Sequence, residues 1–334
     1  MAEVNCQCRL AARPVGLPTA SDWQYVEEPA PEPGEGQFLV RVDYLSLDPA
    51  MRAWMNAGRS YIPPVEIGAV MRAAGIGTVV KSRDPEFREG DCVQGVFGAQ
   101  RYALSDGAGV TRVDTGLAPP PVHLGVLGIS GLTAYFGLLD IGRPQPGQTV
   151  VVSGAAGSVG SVVGQIARIK GARAIGIAGG PEKCEWLVDE LGFDGAIDYK
   201  AGDTREQLRV RAPEGVDVFF DNVGGTVLDD VLARLARGAR VVICGAISQY
   251  NATEAPRGPA NYLQLLVARA TMTGFVIFDY AKRYPEAFAD LARWLESGEL
   301  RSREHVVSGG IEQFPEVLLK LFEGENTGKL VLAL

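Results

Sequence analysis

The sequence predicts an α/β protein in which a β-rich N-terminal part precedes a doubly wound parallel sheet. Three observations carry this expectation. Up to about residue 120 short strands are separated by Pro and Gly, and helices are scarce. From Thr149 onward β-branched runs alternate with helical apolar stripes. Between them, Thr149-Val-Val-Val-Ser153-Gly154-Ala-Ala-Gly157-Ser158-Val159-Gly160 joins a buried strand to a helix through a glycine turn.

In chain order, the N-terminal part offers strands at 38–45, 77–80, 91–97 and 101–104. A Pro-rich joint at 114–121 leads into an expected helix over 122–139. Strands follow at 150–153, 174–178, 196–198, 216–221, 240–244 and 271–275, with helices such as 182–191 and 227–235 between them. The tail adds helices at 285–296 and 313–323 and a strand at 329–334. No repeat or low-complexity segment is present.

Composition narrows the function classes. A chain of 334 residues, 46% hydrophobic and 22% charged, is an ordered globular protein with room for two cores. Its net charge of −8 argues against nucleic acid and anionic membranes as partners. The N-terminus, Met1 to Cys8, has no basic region followed by an apolar core, and no apolar run reaches the length of a membrane span. A cytoplasmic location is expected, and five scattered cysteines suit a reducing compartment. No metal is expected: the histidines are His123 and His305 alone, there is no Cys-x-x-Cys, and Cys6-x-Cys8 has the wrong spacing, at an expected strand end.

The glycine turn carries the first functional signal. A diphosphate must approach the main-chain N–H groups at the open end of a helix, where any Cβ would obstruct it. The helix that follows presents Val159, Val162, Val163 and Ile166 as its apolar stripe. A glycine turn in an ordinary βαβ unit is the alternative, because the spacing is G-x-x-G-x-x-G. In NAD-binding versions an acid stands at the tip of the second strand. Here that strand runs into Gly179-Gly180-Pro181-Glu182-Lys183. The missing acid and the added cation point to NADP(H), with Lys183 facing a 2′-phosphate; a solvated first-turn lysine is the alternative.

Further motifs accumulate along the chain. Asp48-Pro-Ala-Met-Arg52, Ser60-Tyr-Ile-Pro-Pro64, Gly131-Leu-Thr-Ala-Tyr135, Gly157-Ser-Val-Gly160, Glu182-Lys183, Asp221-Asn-Val-Gly-Gly225, Cys244-Gly-Ala-Ile-Ser-Gln-Tyr-Asn251 and Asn326-Thr-Gly-Lys329 occur in order. Together they resemble the zinc-free medium-chain dehydrogenase/reductase superfamily, in its leukotriene/prostaglandin, alkenal double-bond and curcumin reductase branch. The resemblance implies a GroES-like domain formed by residues 1–121 with 301–334 returning to it. It also implies a Rossmann NADPH-binding domain at 122–300, an active site in the cleft, and a homodimer. The implied reaction is reduction of the C=C bond of an α,β-unsaturated ketone or aldehyde: hydride reaches the β-carbon, negative charge collects on the carbonyl oxygen, and a proton reaches the α-carbon. A quinone reductase on the same scaffold and a non-catalytic NADPH-binding sensor are the alternatives.

By motif matching, the cofactor is expected along Gly157, Ser158, Val159 and Gly160, Lys183, Tyr199 and Asn222. Its lining continues through Cys244, Gly245, Ala246, Ile247, Ser248, Gln249 and Tyr250, then Phe275, Val276 and Ile277, and Asn326, with Thr133 reaching the nicotinamide amide. Asn222 and Asn326 can equally be turn residues, and Cys244 a small strand residue. Tyr250 is the candidate catalytic donor: a phenol with a pKa of about 10 stays protonated at neutral pH and can hydrogen-bond an enolate. Alternatively it packs on the cofactor. Trp54 and Tyr61 are candidate substrate walls, or fillers of the β-domain core. Two departures stand out: Ala50 replaces an aromatic common among relatives, and Gly154 replaces an alanine.

Overall fold

The computed structural model describes residues 3–334, so the leader reading of residues 1–8 falls partly on Met1 and Ala2, outside the described residues. The chain forms two compact units: the described residues up to Leu124 together with Glu304–Leu334, and Gly125–Arg303.

The first unit opens with β1 (Val4–Leu10) paired antiparallel with β2 (Trp23–Pro29). Then come β3 (Phe38–Ser46), α1 (Ala50–Trp54), β4 (Ala74–Ser82), β5 (Cys92–Val96), β6 (Tyr102–Ser105), β7 (Thr111–Arg112) and α2 (Pro120–Leu124). The second unit contains α3 (Ile129–Phe136), β8 (Thr149–Ser153), α4 (Ser158–Ile169), β9 (Arg173–Ala178), α5 (Pro181–Glu185) and β10 (Gly195–Asp198). It continues with α6 (Thr204–Arg211), β11 (Val216–Asp221), α7 (Gly225–Leu232), β12 (Leu235–Ile243), α8 (Gln264–Ala268), β13 (Thr271–Gly274) and α9 (Tyr284–Glu296). The first unit then resumes with β14 (Glu304–Ser308), α10 (Phe314–Glu323) and β15 (Lys329–Ala333).

In the first unit β15 lies between β14 and β3 in a sheet of order β14-β15-β3-β4-β5-β7, with β6 also pairing β3. Alternation puts Phe38, Val40 and Val42 of β3 into a core shared with Met51, Phe314 and Leu332. Trp23 meets Phe314 edge to face at 5.9 Å. Lys329, only 2% exposed, donates from Nζ to Leu47 O at 2.9 Å and Asp48 Oδ1 at 2.6 Å, fastening β15 to the segment ahead of α1.

The second unit holds six parallel strands in the order β10-β9-β8-β11-β12-β13. Every residue of β8 is buried, as a strand covered on both faces requires. Strand order reverses between β8 and β11, and at such a reversal the carboxyl ends of neighbouring strands diverge to leave a crevice.

Several elements differ from expectation. The helix over 122–139 is broken: Gly125 and Gly128 stand between α2 and α3, and a Cβ on Gly131 would lie 1.8 Å from Val126 O, so the turn closes too tightly for a continuous helix. The helix over 227–235 stops at Leu232, and β12 begins at Leu235, upstream of Gly238 at φ +78. Cys6 and Cys8 lie inside β1, not at its end. Strands β2, β7 and β14 and helix α1 were not anticipated.

Candidate active site

The glycine turn is built by contact rather than by flexibility alone. Gly154 adopts φ +57, and the Gly157 N–H donates back to Gly154 O at 3.0 Å. A Cβ on Gly160 would stand 2.4 Å from Gly154 O and 2.8 Å from Ala155 Cα, so only glycine lets α4 start this close to its strand. Helix geometry leaves the N–H groups of Ser158, Val159 and Gly160 without intrahelical acceptors. The Ser158 hydroxyl at this helix mouth is buried and has no hydrogen-bond partner among the described residues. An unsatisfied buried hydroxyl costs about 1–3 kcal/mol, and an anionic oxygen at the helix mouth would relieve it. The turn therefore suits a diphosphate.

At the tip of β9, Gly180 takes φ +94 and Lys183 enters the first turn of α5. Burial, and then the neighbouring Lys200 charge, hold the Lys183 ammonium below the ordinary lysine range. Two cations thus share this corner. Asp198 is here as well, but its Oδ1 accepts from the Gly180 N–H at 2.8 Å and the Lys200 N–H at 2.9 Å. The Tyr199 ring lies against Gly179, where a Cβ would come within 2.8 Å of Tyr199 Oη. This corner suits a 2′-phosphate better than bare ribose hydroxyls.

At the sheet reversal, Ser153 Oγ donates to Asp221 Oδ1 at 2.6 Å and accepts from the Asn222 N–H at 2.9 Å. The Asn222 side-chain amide donates to Ser153 O at 2.7 Å. Burial pushes the Asp221 carboxyl up, opposed by Ser153 and by the Gly224 and Val223 N–H groups. The loop after β12 is laced to the same segment: Cys244 N–H and Gly245 N–H both donate to Asp221 O, Ile247 N–H to Asn222 O, and Ser248 Oγ to Val223 O. Gln249 N–H closes the turn on Ala246 O at 2.8 Å. Tyr250 ends this turn, and its phenolic oxygen accepts from the Ala246 N–H at 3.2 Å. That bond uses a lone pair of the phenol, not its proton. Burial, with the Asp221 charge adding, pushes the Cys244 thiol up to about 12, which suits a packed strand residue rather than a nucleophile.

Phe275 packs edge-on against Phe220 and Tyr280, each at 6.4 Å, and a Cβ on Gly137 would meet it at 2.6 Å. Val276 and Ile277 begin the next turn, where Ile277 O accepts from Tyr284 Oη at 3.1 Å. Thr133 Oγ1 donates to Ile129 O at 2.6 Å, so an incoming carboxamide would meet its lone pairs. These residues all lie in the second unit. In the first unit, Asn326 Nδ2 donates to Gly328 O at 3.0 Å and so closes its own turn. Trp54 packs on the β-rich core, and its Nε1 donates to Tyr61 Oη at 3.3 Å; Tyr61 itself is 53% exposed.

Sequence reasoning missed Asp198, Lys200, Ser153 and Asp221. Lys200 and Asp198 flank Tyr199, so the signal was adjacency to a residue already singled out. Ser153 and Asp221 share the feature of being the last residue of neighbouring parallel strands, which only the strand order reveals. Among the described residues no cluster of His, Cys, Asp and Glu could hold a metal ion, and no helix is long and apolar enough to cross a membrane.

Comparison with known proteins bears on the family. Residues 6–113 match the N-terminal domain of oxidoreductase and residues 158–297 match the zinc-binding dehydrogenase domain. The NADPH-dependent curcumin reductase of Escherichia coli is 44% identical over 97% of this chain and 95% of its own. This chain belongs to the medium-chain dehydrogenase/reductase superfamily, in the branch of the curcumin, prostaglandin and alkenal reductases. Within that family, prostaglandin reductase 1 of Bos taurus is 37% identical over 95% of each chain. The crystal structure of CurA from Vibrio vulnificus in complex with NADPH superposes with a TM-score of 0.93, at 47% identity over 98% of both chains.

Proposed function

We propose that this medium-chain reductase is an NADP(H)-dependent oxidoreductase that reduces the carbon–carbon double bond of α,β-unsaturated ketones or aldehydes. The observation that carries the reading is Tyr250, a phenol oriented by a backbone N–H at the carboxyl end of β12, in a chain whose relatives include curcumin and alkenal reductases. When bound, the reduced nicotinamide supplies a hydride. The main-chain donors of Ser158, Val159 and Gly160 would hold the diphosphate, and Lys183, Lys200 and Tyr199 the 2′-phosphate. Thr133, Asn222, the 244–250 loop and the 275–277 segment would line the remainder. Tyr250 donates a hydrogen bond to the substrate carbonyl oxygen as charge collects there. Following NADPH absorbance with an enone, a quinone and no acceptor tests this directly. Oxidation with the enone is expected; oxidation with the quinone alone would reject it.

A homodimer belongs to the same reading. Strand β13 is the exposed edge of the parallel sheet, and Leu263, Leu266, Val267 and Met272 present apolar surface beside it. The five free cysteines fit a cytosolic setting.

A further inference from the structure

We infer that Asp221, acting with Ser153 through the 244–250 loop, is the positioning residue for Tyr250, an inference that rests on the reading of Tyr250 as donor to the substrate carbonyl. Asp221 ends β11 and Ser153 ends β8, neighbouring strands of one sheet, and the two residues are 1% and 0% exposed. Within the motif Asp221-Asn-Val-Gly-Gly225 it is the asparagine that is placed on the cofactor, and the aspartate has a separate task. Its carboxylate accepts from the Ser153 hydroxyl at 2.6 Å, from the Val223 N–H at 3.0 Å and from the Gly224 N–H, which is shared between both oxygens at 3.0 and 3.1 Å. Such donors favour the anion, against the burial that opposes its charge. No cation among the described residues offsets that charge.

A buried anion without a cation is a costly way to close a turn, so what the turn carries matters. Gly224 and Gly225 stand at φ +70 and +58, so no side chain stiffens that end of the turn, and the carboxylate supplies the constraint. The main chain passes the constraint on. Asp221 O accepts from the Cys244 N–H at 2.9 Å and the Gly245 N–H at 3.1 Å, Asn222 O from the Ile247 N–H, and Val223 O from both the N–H and the hydroxyl of Ser248. The loop after β12 thus hangs on residues 221–223, and it presents the Ala246 N–H to Tyr250 Oη at 3.2 Å. Loss of the Ser153–Asp221 bond frees residues 221–223, and the phenol shifts with the loop.

The test is a double-mutant cycle on the turnover of an enone, with NADPH binding followed separately by fluorescence titration. Ser153→Ala should lower kcat by about fivefold and Asp221→Asn by about tenfold or more, with the NADPH dissociation constant within about twofold in each. Because both act through the phenol, adding Ser153→Ala to Tyr250→Phe should lower kcat by less than about twofold further. A residue that merely held the fold together would give losses that multiply. Multiplying losses, or an unchanged kcat in Ser153→Ala where Tyr250→Phe is impaired, overturns the inference and leaves the donor reading standing. An unchanged kcat in Tyr250→Phe removes the donor reading and this inference with it. The Ser153 cycle decides the matter even where Asp221→Asn misfolds.

Discussion

Lys183 and Lys200 place two positive charges at one strand tip, and the cost is visible in Lys183, whose ammonium is held below its ordinary range by burial and by its neighbour. A 2′-phosphate would offset that repulsion. Lys183→Ala should raise the Michaelis constant for NADPH about tenfold or more and barely change that for NADH; equal effects on both would remove the phosphate role. The sign of the pH dependence follows from the shift. As pH rises through the lowered Lys183 pKa the ammonium is lost, so the preference for NADPH over NADH should shrink before pH reaches the ordinary lysine value of about 10.4. That decline should be absent in Lys183→Ala. Gly179→Ala tests the same corner differently, since its Cβ would meet Tyr199, which is 48% exposed and free to swing. A weakened NADPH affinity with an unchanged melting temperature is expected. Tyr250→Phe should lower turnover while leaving the NADPH dissociation constant within about twofold, because a phenyl ring keeps the packing and loses the donor.

The strand–turn–helix unit of β8 and α4 is the most rigidly specified element. Gly160→Ala would press a methyl group against backbone atoms at 2.4 and 2.8 Å, which a side-chain rotation cannot relieve. A loss of about 2–3 kcal/mol in denaturant unfolding is expected, together with weaker NADPH binding; a neutral result would mean that α4 can back away from its turn. This unit was legible in the sequence because three valines in succession admit little but a buried strand, and glycines at intervals of three admit little but a tight return. The parallel sheet was legible for the same reason of repeated alternation. Other elements were not. Nothing in Glu304-His-Val-Val-Ser308 distinguishes an edge strand from a loop, because its partner, β15, lies more than twenty residues on. The break after α2 was hidden because Gly125 and Gly128 sit among apolar residues that continue a helical pattern, and the close approach of Gly131 to Val126 O that forces the turn is a contact, not a propensity. In the site, the Asp221–Ser153 bond was invisible for a related reason: the two residues lie 68 positions apart and meet only through strand order.

At the scale of the molecule, the exposed edge of β13 makes assembly testable. Met272→Lys places a charge on that edge, and Leu266→Glu another beside it. Each should convert a dimer into a monomer by sedimentation velocity while leaving circular dichroism unchanged. A wild-type protein that sediments as a monomer would sink the proposal. The position of β15 has a different consequence. Because it lies between β14 and β3, and its Lys329 is clamped inside by Leu47 and Asp48, the sheet begun by β3 is unfinished until some 285 residues later in the chain. Synthesis on the ribosome runs in one direction, so the Tyr44–Ser46 end of β3, beyond the stretch that β6 pairs, must wait without its partner strand while the whole nucleotide-binding unit emerges and closes ahead of it. A nascent chain stalled before residue 329 should accordingly offer chaperones a protease-sensitive first unit tethered to a resistant second one.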